Sequence, residues 1–65
     1  MNSFNELLDD YYANAGNIRL GQYFCNQYIK KQWPTLFYAD FDKACSLITN
    51  WLRDNNYIDE LPPKI

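Results

Sequence analysis

RLGQYFCNQY, residues 19–28, decides how the chain is read. On a helical projection Leu20, Gly21, Phe24, Cys25 and Tyr28 fall together, and Ile18 and Ile29 extend the same half of the circumference. Arg19, Gln22, Tyr23, Asn26, Gln27 and Lys30 fill the other half. Apolar residues recurring at steps of three and four predict a two-faced helix. Asn17 is placed to cap its start, and Lys30 and Lys31 sit in its last turn, where cations are favoured by the helix dipole. Gly21 lies inside the apolar half, where it costs about 1 kcal/mol of helix propensity relative to Ala. The compensation expected is close approach of a neighbour, and the preceding helix is the nearest one in sequence.

That preceding helix opens on Ser3, with Glu6 three residues later, the S-x-x-E pattern of a capping box. Phe4, Leu7, Leu8, Tyr11, Tyr12 and Ala15 then form one face, and Gly16 is placed to stop the helix in a left-handed conformation. Downstream, QWPTLFYA at 32–39 cannot continue the central helix, because Pro34 lacks an N–H and restrains Trp33 towards extended backbone. The segment reads as a hydrophobic connector with one short helical turn through Thr35 to Tyr38, its large side chains plugging the core. Asp40 caps a further helix whose inner face holds Phe41, Ala44, Cys45, Ile48, Trp51 and Leu52, with Asn55 and Asn56 ending it. The tail YIDELPPKI is non-helical at Pro62-Pro63, and Tyr57, Ile58 and Leu61 are expected to pack back. The fold predicted is all-α, a single compact three-helix domain over residues 1–65. It comprises a helical hairpin over 3–31, the connector, a third helix over 41–54 and a packed tail.

Sixty-five residues is one domain, and so short a chain buries only roughly 60% of the surface its unfolded form exposes. Aromatic residues make up 18% of it, and each buried ring removes about 150–250 Å² from water, so a few large side chains can close the core. Twelve Phe, Trp and Tyr exceed what such a core needs, and some of Tyr11, Tyr12, Tyr23, Trp33, Tyr38 and Tyr57 are expected at the surface. Formal net charge is −2, which argues against nucleic acid as a partner. No apolar run approaches the roughly 20 residues of a membrane span, and residues 1–15 carry no basic, apolar export pattern, so the expected location is the cytoplasm.

Histidine is absent, which removes the commonest general base and metal ligand and any Ser–His or Cys–His dyad within one chain. Cys25 and Cys45 fall on inner faces and read as small core residues with reduced thiols, a disulfide between them being the lesser alternative. Asp40-x-Asp42 reads as a cap followed by a first-turn acid, and two carboxylates are too few for a calcium loop. Asp9-Asp10 and Asp59-Glu60 read as solvated charge. No catalytic residue, cofactor or metal site follows, and the chain reads as a non-enzyme. The polar row of the central helix has three readings: a solvated face with Arg19 paired to an acid, a support for the connector through Gln22 or Asn26, or a partner-binding patch. For the last, the candidate residues are Arg19, Gln22, Tyr23, Asn26, Lys30, Trp33 and Tyr38, since Arg, Tyr and Trp are favoured interface anchors.

R-L-G-Q at 19–22 with Asn26, followed by W-P-x-L-F-Y at 33–38 and Asp40, resembles small bacterial and phage-borne accessory proteins over residues 17–52. The matching positions are Arg19, Gly21, Gln22, Asn26, Leu36, Phe37, Tyr38 and Asp40. The resemblance implies an accessory protein of a bacterium, prophage or phage and transfers no catalytic role. The function expected is a protein-interaction module that binds and modulates a host or defence protein, anti-CRISPR-like inhibition being one version. Two alternatives stand: a nucleic-acid-binding helical module using Arg19, Lys30 and Lys31, and a structural homo-oligomer paired through exposed aromatics.

Overall fold

The computed structural model describes residues 3–64, which form helices and connecting turns with no strand among them. Helix α1 spans Ser3–Asn14, α2 spans Leu20–Phe24 and runs directly into a π-helical turn over Cys25–Ile29, α3 spans Pro34–Phe37, and α4 spans Phe41–Asp54. The all-α domain is as the periodicity predicts. Its radius of gyration, 10.6 Å, matches the roughly 10.7 Å of a well-packed chain of this length.

Helix α4 is the hub, packing on α1, α2 and α3. Its start and stop follow from local chemistry. The Asp40 carboxylate accepts from the Lys43 N–H at 2.8 Å, satisfying one orphan donor of the first turn. At the other end Asn56 is left-handed, the Tyr57 N–H reaches back to the Leu52 carbonyl and the Asn56 N–H to Arg53. This paired arrangement is a Schellman motif. Its accompanying apolar contact is the Tyr57 ring stacked on Trp51 at 5.7 Å. The inner face of α4 is Ala44, Ile48 and Leu52, all buried, with Cys45 and Trp51 half-buried. Phe41 departs from its expected place and is 44% exposed, because it is the first residue of the helix and lies beyond the edge of the core.

Leu7, Leu20, Phe24, Leu36 and Ile48 are fully buried at the centre. Around them runs a continuous ribbon of rings, Tyr12–Tyr11–Tyr23–Tyr28–Phe24–Trp51–Tyr57, with neighbouring centroids 5.4–6.3 Å apart. Mostly tilted and edge-on pairs of this kind add about 0.5–1.5 kcal/mol each beyond area burial. Of the rings expected outside, Tyr12 and Tyr38 are exposed and Tyr11, Trp33 and Tyr57 are half-buried.

Three local expectations are corrected. Ser3 is not the acceptor of a capping box: it is buried, and its hydroxyl donates to the Tyr57 carbonyl, with the Ile58 carbonyl at 3.1 Å. Its N–H also bonds Ile58, so the residue ties the start of α1 to the tail. Ile58 is accordingly held by its backbone while its side chain stays 66% exposed. The central helix begins at Leu20, with Arg19 and not Asn17 at the cap position. Gly16 is left-handed as expected, but the turn runs on through Ile18, whose carbonyl accepts from the Tyr11 hydroxyl at 2.6 Å. Finally, the neighbour of Gly21 is α3. A Cβ at position 21 would lie 2.0 Å from the Leu36 carbonyl oxygen and 2.8 Å from its carbonyl carbon.

Candidate functional site

Where α3 lies against the central helix, the chain reversal leaves a concave surface. Beyond Phe24 the helix widens into the π turn, which closes with the Lys30 N–H bonded to the Cys25 carbonyl at 2.8 Å. Lys30 itself is left-handed, φ 47° and ψ 32°, and the chain reverses there. Lys31, Gln32 and Trp33 then run without helical structure until Pro34, whose fixed φ and missing N–H suit the first position of α3. Leu36 drops into the core, so α3 lies back across α2. The Arg19 guanidinium holds its far end, donating to the Tyr38 carbonyl at 2.8 Å.

Between the π turn and α3 lies a groove of about 540 Å³, lined by Cys25, Asn26, Lys30, Lys31, Gln32, Trp33, Pro34, Phe37 and Tyr38. Trp33 and Phe37 are half-buried and form the apolar wall, while Tyr38 is 71% exposed. Lys30 and Lys31 are exposed and, among the described residues, neither has a carboxylate within ion-pair distance. Among the described residues, no Asp or Glu lines the groove. The Cys25 thiol at the floor is buried, and burial pushes its pKa up, so it is a thiol and not a thiolate at neutral pH. Both cysteines are free.

Asn26, Lys30, Trp33 and Tyr38 are thus brought together from the residues the sequence singles out. Arg19 lies behind them as the clamp on α3, so it serves the connector, the role the sequence reading offered to Gln22 or Asn26. Gln22 is half-buried and does not line the groove. Tyr23 is removed from the patch altogether. It is 3% exposed, and its hydroxyl donates to Asp10 at 2.8 Å on the side facing α1. A helix flanked by α3, α4 and the Asp10 side of α1 has no free face there.

Asp10 is the second correction. Instead of a solvated charge it is a junction, accepting from Tyr23, from Tyr28 at 2.5 Å and from the Lys64 ammonium at 3.1 Å. The Lys64 nitrogen also stands 5.7 Å from the centres of both tyrosine rings. Partial burial alone would raise the Asp10 pKa, but the bonds from Tyr28, Tyr23 and Lys64, with the Lys64 charge, outweigh it and hold it below 3.8. Burial first, and then the bond to Asp10, push both tyrosine hydroxyls above their ordinary range.

The partner-binding patch read from the sequence omits Gln32, Pro34 and Phe37, and Lys31 enters only in the nucleic-acid alternative. The one signal available was the order Lys30-Lys31-Gln32-Trp33-Pro34, a stop followed by a helix-starting proline, which implies a reversal and hence a concave corner. Among the described residues, no helix is long and apolar enough to cross a membrane, and no cluster of His, Cys, Asp and Glu is arranged to hold a metal ion. No family model, curated protein or solved structure matches the chain.

A left-handed lysine is strained by roughly 1–2 kcal/mol, and such strain collects at binding sites, as do π turns. Lys30→Gly is therefore expected to raise stability by about 0.5–1 kcal/mol, the relief being partly offset by the greater unfolded-state entropy of Gly. A thermal melt followed by circular dichroism should rise by a few degrees. A fall would show that the lysine side chain itself supports the turn.

Proposed function

We propose that this chain is a small, non-catalytic protein-binding module whose working face is the groove between the π turn and α3. One observation carries the reading: exposed and half-exposed rings at Trp33, Phe37 and Tyr38 share a concave surface with two lysines that have no carboxylate partner among the described residues. Rigid aromatic side chains supply large contact area at low entropic cost, and a concave wall lets them desolvate fully. Together with the resemblance of residues 17–52 to bacterial and phage-borne accessory proteins, this points to action in the bacterial cytoplasm. The partner there would be a host or defence protein, altered by occlusion of its own surface.

The test is affinity capture from bacterial lysate, comparing the wild-type chain with a Tyr38→Ala/Lys31→Ser variant. Both positions are exposed, so the variant should melt within about 0.5 kcal/mol of wild type. Wild type should retain a partner in stoichiometric amount and the variant should lose it. No such partner, or equal retention by both, overturns the reading.

The rival with an observation behind it is single-stranded nucleic acid, which also uses cations beside stacked rings. Arg19, Lys30 and Lys31 neutralise few phosphates, and Arg19 is committed to the Tyr38 carbonyl. A gel shift at low salt with micromolar protein is expected to show no complex.

A further inference from the structure

Resting on that reading, we infer that the groove recognises a short, extended, acidic segment of its partner carrying an apolar or aromatic anchor. The sign of the charge comes first. Lys30 and Lys31 have no carboxylate partner among the described residues, and the groove lining contains none. Removing these two lysines from a chain of net charge −2 leaves −4 on the other 63 residues. The groove is therefore a cationic notch in an acidic molecule. An acidic segment is drawn to it and repelled elsewhere, which fixes orientation as well as attraction.

The same distribution sets the length. A long polyanion such as a nucleic acid strand would leave the notch and run onto surface of its own sign. A segment of a few residues does not. The volume, about 540 Å³, lies inside the roughly 300–1,000 Å³ of sites that enclose small ligands and side-chain anchors. The Trp33, Pro34 and Phe37 wall has the chemistry to take one apolar side chain from that segment.

The backbone state follows from the amides. Asn26 and Gln32 stand in the lining on either side of the reversal, each with one acceptor and two donors. They can pair with main-chain N–H and C=O groups, which an extended segment presents and a helix has already used.

Two fluorescein-labelled hexapeptides test this by fluorescence anisotropy, one of sequence DEFDLE and one of sequence NQFNLQ, both with blocked termini. The acidic peptide is expected to bind at least tenfold more tightly at 50 mM salt, and the preference should shrink at 500 mM. In a Lys30→Gly/Lys31→Ser variant the preference should fall below threefold. That variant is expected to be no less stable than wild type, so its loss cannot be unfolding, and a melt checks the point. Equal binding of the two peptides, no binding of either, or an undiminished preference in the variant overturns the inference. A twelve-residue thymidine oligonucleotide that binds more tightly than DEFDLE overturns it in favour of nucleic acid. If lysate capture is lost with Tyr38→Ala/Lys31→Ser while the peptides are not distinguished, acidic recognition fails and the groove reading stands. If capture ignores the groove variants, the groove reading itself fails.

Discussion

Gly21→Ala is expected to destabilise the protein by about 2–4 kcal/mol, the reverse of what the substitution does in an ordinary helix. On an open helical surface Ala is favoured over Gly by about 1 kcal/mol. Here the added methyl would lie 2.0 Å from the Leu36 carbonyl oxygen, a backbone atom with little freedom to yield. That oxygen accepts from the Ala39 N–H at 3.1 Å, and the Leu36 side chain is fully buried, so displacing α3 disturbs a hydrogen bond and the core together. For a domain of this size each kcal/mol is worth roughly 4–8 °C, so a thermal melt should fall by more than 8 °C. Because α3 forms one wall of the groove, the same variant should lose partner capture even at temperatures where it is folded. An unchanged or higher melting temperature would mean that α3 does not rest on α2 through Gly21.

Asp10→Asn carries the second large effect, a loss of about 2 kcal/mol with a characteristic pH dependence. The carboxylate accepts from two tyrosine hydroxyls and an ammonium, whereas the amide places an NH₂ among donors and removes the charge. The groups facing it are Tyr23 from α2, Tyr28 from the π turn, Lys64 from the tail and Asn14 from α1 itself. Its folded pKa lies below the ordinary 3.8, so its contribution is present above that value and is lost as pH falls through the folded pKa. Wild type should therefore lose more stability than Asp10→Asn between about pH 5 and 2, the two converging in acid. The tyrosines give the opposite sign. Their folded pKa values are raised, so their contribution holds below about pH 10 and is lost as pH climbs towards the folded values. Lys64→Ala should leave the thermal melt nearly unchanged, because that side chain is exposed and its charge is screened by solvent. Parallel acid titrations of wild type and Asp10→Asn would count against the junction.

The two residues at the centre of these expectations show where reading the chain succeeds and where it stops. That Gly21 must be approached closely follows from its place in the apolar half. Which element approaches it does not, because the choice between α1 and α3 depends on how a four-residue helix folds back after Pro34. Asp10 and Tyr23 each look like surface residues along their own helices. They become partners only because α1 and α2 bring them together, and a helical projection holds one helix at a time. The site divides in the same way. Asn26, Lys30, Trp33 and Tyr38 are recognisable as polar or aromatic residues in excess of what the core needs. The role of Arg19 as a clamp, and the places of Lys31, Gln32 and Phe37 in the wall, depend on contacts across the reversal at Lys30.

By itself the sequence determined what near-neighbour chemistry determines: the helical class, the cap at Asp40, the stop at Asn55-Asn56, the end of the central helix ahead of Pro34 and the want of histidine chemistry. Each rests on interactions spanning a few residues, where spacing along the chain is spacing in space. Tertiary structure alone decided the π turn, the contact of Gly21 with Leu36, the junction at Asp10 and the cationic groove. These join residues from 13 to 54 positions apart, or set a backbone conformation that only the packing around it can hold in place.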